Sequence, residues 1–72
     1  MGPKGKLTIL KDCLVSCTKK EPQRFKSGKQ LDAHFETDLA NEQVCFWVDE
    51  VGDFVFFEKS YLLWRPDKGN GG

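Results

Sequence analysis

The chain has 72 residues, eleven basic and eleven acidic side chains, and no formal net charge. That length allows one domain with a small core, because only about 60% of the unfolded surface is buried at this size, and it leaves little room for a deep substrate pocket. Neutrality excludes a uniformly polybasic nucleic-acid binder, and no apolar stretch approaches the roughly 18 residues of a membrane-spanning helix.

The first residues are basic, but the apolar run at 7–10 closes at Lys11 and Asp12. It is too short for a signal-peptide core. Residues 7–18 fit a strand, with Leu7, Ile9, Cys13, Val15 and Cys17 on one face, or two short strands broken near Asp12. A helical stripe through Leu7, Leu10, Leu14 and Cys17 competes with it, and the β-branched residues Thr8, Ile9, Val15 and Thr18 favour the strand.

Residues 19–29 read as a loop, punctuated by Pro22 and Gly28. A helix is expected over 28–40. Ser27 and Gln30 have capping-box spacing, Leu31, Phe35 and Leu39 form a stripe, and Asn41 suits the stop. Residues 43–48 and 53–57 are rich in β-branched and aromatic side chains, and the link between them contains Gly52, so they predict a hairpin. Residues 60–65 add a third strand or a turn before Pro66. The expectation is therefore a small α+β domain over residues 1–66: an N-terminal strand region, one helix, then an antiparallel hairpin or three-stranded sheet. A flexible glycine-rich tail is expected over 67–72.

The neutral total hides segregation. Residues 1–30 carry eight bases against two acids, residues 31–58 carry eight acids and no base, and the remainder carries three bases against one acid. Either the two blocks neutralise each other across the fold, or they form a dipolar surface that orients a partner.

Seven of the nine aromatic residues lie between positions 46 and 64. Alternation sends Phe46 and Val48 one way and Cys45 and Trp47 the other. It likewise opposes Phe54 and Phe56 to Val55 and Phe57. Both faces of the hairpin are then apolar, whereas a half-solvated antiparallel sheet has one polar face. The second face needs the N-terminal segment, another copy of the chain or a partner. Trp47, Phe56, Tyr61, Trp64 and Arg65 are the candidate partner-binding residues, with 61–65 also offering an unpaired sheet edge.

Lys19, Lys20, Arg24, Lys26 and Lys29 surround Phe25 and suit an anion, so a nucleic-acid backbone is the alternative ligand. Ser27, Gly28 and Lys29 resemble the end of a phosphate-binding loop only superficially, because the upstream glycine is missing. Cys13, Cys17, His34 and Cys45 supply the four donors of a Cys3His zinc module, a second alternative. On a strand, however, Cys13 and Cys17 stand about 13 Å apart, too far to share one ion.

No nucleophile–histidine pair or paired carboxylate stands out, so no catalytic residue, cofactor or small-molecule substrate is expected. The odd cysteine count argues against a disulfide framework and for a reducing compartment, cytoplasmic or, in a eukaryote, nuclear. These features together predict a non-enzymatic adaptor, inhibitor or regulatory subunit. It would act by protein–protein association or as a homodimer, through an aromatic sheet surface oriented by the basic loop.

Overall fold

The computed structural model describes residues 2–67, and no α-helix occurs among them. The strands are β1 (Lys4–Ile9), β2 (Cys13–Cys17), β3 (Gln23–Phe25), β4 (Gln30–Leu39), β5 (Gln43–Val48), β6 (Asp53–Glu58) and β7 (Leu62–Pro66). A single 3-10 turn, Lys59–Tyr61, separates β6 from β7. All pairings are antiparallel, and the sheet order is β3-β2-β6-β5-β4-β1-β7. The fold is all-β, which corrects the α+β expectation. The tail expected over 67–72 lies outside the described residues except for Asp67, whose N–H donates to the Lys4 carbonyl at 2.8 Å.

The segment expected as a helix over 28–40 is β4. Leu31, Phe35 and Leu39 recur every four residues, a spacing that fits the helical period of 3.6 and is also a multiple of the strand period of 2. Ala33 decides between them, because it lies midway between Leu31 and Phe35 and is fully buried. Tertiary pairing then outweighs local preference. β4 is hydrogen-bonded on both sides, with Leu31 opposite Leu7 of β1 and Phe35 opposite Phe46 of β5.

The local helix signals have other uses. Ser27 caps no helix: its N–H donates to Asp12 Oδ1 at 2.8 Å and its hydroxyl to the Leu10 carbonyl at 3.0 Å. These bonds tie the approach to β4 onto the link between β1 and β2. Asn41 does not stop a helix. With Glu42 it turns the chain from β4 into β5, at φ of 61° and 58°.

The N-terminal region forms two strands interrupted at residues 10–12. β1 pairs with β4 and β7, whereas β2 pairs with β6 and β3. One bent segment thus joins two parts of the sheet, and the sheet curls about a single core of inward residues. Aromatic contacts trace the closure. Phe25 of β3 lies 6.2 Å from Phe57, Phe57 6.1 Å from Phe46, and Phe46 4.7 Å from Trp64 of β7, centroid to centroid. The two terminal strands of the sheet therefore pack on one interior, and the Leu10 N–H bonds the Tyr61 carbonyl at 2.8 Å on the far side. Among the described residues no helix is long and apolar enough to cross a membrane.

Candidate functional site

The outer face of this curled sheet is unusual in composition. Pairing of β5 with β6 sets Trp47 opposite Phe54 and Cys45 opposite Phe56. Phe46, Val48, Val55 and Phe57 point inward and are buried. Their alternates Cys45, Trp47, Phe54 and Phe56 point outward. The N-terminal strands complete the inner core and leave the outer face uncovered.

Register extends that face across four neighbouring strands. His34 of β4 stands opposite Trp47, Trp47 opposite Phe54, and the Thr18 N–H reaches the Phe54 carbonyl at 3.2 Å. A parallel row runs from Thr37 through Cys45 and Phe56 to Ser16. Trp47 and Phe54 meet edge to face at 5.1 Å, a favoured aromatic geometry. Both remain half-buried, as does Phe56, while Cys45 beneath them is only 4% exposed. Burial pushes the Cys45 thiol up from its ordinary value, and the carboxylates of Glu36 and Asp53 push the same way.

Asp53 fixes one margin of the face. Its Oδ2 accepts the backbone N–H groups of Lys19 and Lys20 at 2.7 and 2.8 Å, and its Oδ1 accepts the Thr18 hydroxyl and its neighbour's N–H at Phe54. Burial works against the charge on this carboxylate, but the bonds from Thr18, Lys20, Lys19 and Phe54 outweigh it. They hold the carboxyl well below the usual carboxylate range. The β2–β3 turn is therefore pinned by its backbone and presents the side chains of Lys19 and Lys20 to solvent.

The five residues expected to bind a partner separate in space. Trp47 and Phe56 share the outer face, joined by Phe54, which sequence reasoning left out although its alternation with Val55 was legible. Trp64 instead turns inward onto Phe46. Tyr61 sits in the 3-10 turn with Lys11 Nζ 5.3 Å from its ring centroid, and Arg65 lies exposed on β7, an edge strand that pairs only with β1.

The basic loop over 19–29 is in fact two turns flanking β3. Lys19 and Lys20 lie at one end, Lys26 and Lys29 at the other, and Arg24 stands outward between them opposite Leu14. Phe25 is only 5% exposed and stacks on Phe57, so it offers no ring to a base. The zinc donors are divided too. Cys13 and Cys17 belong to the inward face of β2, whereas His34 and Cys45 face outward on β4 and β5. Among the described residues no cluster of three or more His, Cys, Asp or Glu side chains is placed to hold a metal ion.

The basic and acidic blocks neutralise each other only in part. Lys6 meets Asp32 at 2.7 Å and Lys29 meets Glu50 at 3.1 Å, while Lys59, which follows both blocks, meets Asp38 at 2.9 Å. These are exposed pairs that contribute little to stability. Among the described residues Lys4, Lys11, Lys19, Lys20, Arg24, Lys26 and Arg65 join no ion pair. At the β4 side of the outer face, His34 Nδ1 is buried without a hydrogen bond, 3.6 Å from Asp49 Oδ1.

Where β2 leaves β6 to pair with β3, a cavity of about 420 Å³ opens beside Asp12, Ser16, Gln43, Glu58 and Tyr61. It has two carboxylates but no histidine or amine to act as their partner in proton transfer. Compared with protein-family models, curated proteins and solved structures, the chain matches none.

Proposed function

We propose that this is a small non-enzymatic binding protein that associates with a protein partner through its outer aromatic face. Trp47, Phe54 and Phe56 supply the contact, and the pinned Lys19–Lys20 turn supplies orientation. The observation that supports this reading is an aromatic hairpin apolar on both faces, with only the inner face covered by the rest of the chain. A contiguous exposed apolar patch marks an interaction surface in soluble proteins, and tryptophan and phenylalanine are favoured at interface centres. Adaptor, inhibitor and regulatory subunit are all served by such a face. Three free cysteines suit a reducing compartment, the cytoplasm or the nucleus.

The nucleic-acid alternative is less favoured, because its cations are divided between two turns and its aromatic is buried. A pair of substitutions tests the proposal. Trp47→Ser with Phe56→Ser should abolish capture of the partner from nuclease-treated host extract, whereas Leu63→Ser, on exposed β7, should leave it intact. Capture that survives the double substitution, or that disappears on nuclease treatment alone, overturns the reading.

A further inference from the structure

We propose that the outer face is covered by the same face of a second copy of the chain, about a two-fold axis running along the strands between β5 and β6. The inference rests on the reading of this face as a contact surface and names its occupant.

The argument is the order of charge across the sheet. At the β3–β2 margin stand Lys19, Lys20 and Arg24, none in an ion pair among the described residues. Glu21, in the same turn, is the acid beside them. The centre, on β6 and β5, is neutral over Phe54, Phe56, Cys45 and Trp47. On the β4 side stand Glu36, close enough to Cys45 to act on its thiol, and Asp49, which follows β5 and reaches toward β4 beside His34, its N–H on the Asp32 carbonyl. Neither of those carboxylates is paired with a lysine or arginine, and Lys4 on β1 is the unpaired amine on that side. The face is therefore apolar in the middle, positive at one margin and negative at the other.

Two such faces packed together require a two-fold axis lying in the interface. An axis across the strands would lay the positive margins over each other, and like charges so placed repel. An axis along the strands lays the β3–β2 margin of each copy over the β4 margin of the other. Attraction is then satisfied at both margins by one isologous contact. The same operation sets β6 over β5 of the second copy. Trp47 then meets the second copy's Phe54, Phe56 meets its Cys45, and Glu58 meets its Gln43 rather than another carboxylate. The result is a face-to-face contact across the two-fold axis, centred on β5 and β6 of the two copies.

Sedimentation over roughly 1 μM to 1 mM, the range of weak specific association, reads the outcome directly. The intact protein should dimerise, less strongly as salt rises. Lys19→Glu with Lys20→Glu makes both margins negative, and Glu36→Lys with Asp49→Lys makes both positive. Each variant alone should be monomeric with an unchanged far-UV spectrum, and an equimolar mixture of the two should restore the dimer. A strictly monomeric intact protein overturns the proposal, as does self-association of either charge variant like the parent. If the intact protein is monomeric yet the extract partner is still lost with Trp47→Ser and Phe56→Ser, the dimer fails while the contact face stands. Salt-sensitive binding of single-stranded DNA or RNA by the monomer would overturn both.

Discussion

Asp53 and Thr18 lie 35 residues apart in sequence, yet the Thr18 hydroxyl donates to the Asp53 carboxylate, the first of three bonds that bind the β2–β3 turn to the start of β6. The buried carboxylate thus replaces the ladder that β2 and β6 lack beyond Thr18. It is structural chemistry placed beside the candidate face.

Its ionisation predicts a pH dependence. The folded-state pKa lies below the unfolded value, so the native state binds fewer protons than the unfolded chain in the interval between them. Stability from Asp53 is full above the unfolded value of about 4 and is lost as pH falls below it. Asp53→Asn should flatten the acid-unfolding profile below about pH 4 and lower Tm at neutral pH by roughly 5–10 °C. Equal acid slopes for variant and parent would refute the assignment.

Gly5 governs how β7 seats on β1. A Cβ at this position would stand 2.3 Å from the Arg65 carbonyl oxygen and 2.7 Å from both the Pro66 Cα and the Trp64 ring. Two of those neighbours are backbone and cannot rotate aside. Gly5→Ala should cost about 1–3 kcal/mol, the usual penalty of overpacking, measured by urea unfolding. Displacement of Trp64 from Phe46 should also red-shift its emission, read in a Trp47→Phe background. An unchanged midpoint and spectrum would show that β7 tolerates the added methyl.

Glu42 adopts a left-handed backbone, at φ 58°, where a side chain with a Cβ is disfavoured. Its carbonyl also accepts the Lys59 N–H at 2.9 Å, so the turn is held in place rather than free to relax. Glu42→Gly should stabilise the protein by about 0.5–1 kcal/mol, raising the urea midpoint without changing the m-value. A fall in the midpoint would mean that the conformation is not limiting.

Sequence patterning was most informative where period and composition agreed. In residues 43–48 and 53–57, the density of β-branched and aromatic residues locates both strands, and the strand period separates the inner from the outer aromatics, including Trp47 and Phe56. It failed in β4, where apolar residues four apart satisfy two periods and Ala33 is too small to weigh heavily. The choice there is made by Leu7 and Phe46, which lie far away in the chain. Phe25 misled for a related reason. Five cations surround it in sequence, but a three-residue strand sends its ring inward and parts the charges to opposite ends. Asp53 gave no signal at all. An aspartate after glycine reads as an ordinary turn residue, and its partners at Thr18, Lys19 and Lys20 are defined only once β2 and β6 are paired.

The position of β1 between β4 and β7 has a consequence for folding. Gly5 pairs with Pro66, so β1 finds its second neighbour only roughly sixty residues along the chain. Until that pairing forms, one edge of β1 stays open and Trp64 is missing from the interior. Native closure is consequently governed by long-range pairing, and any state in which β7 is undocked exposes the β1 edge to pairing with another chain.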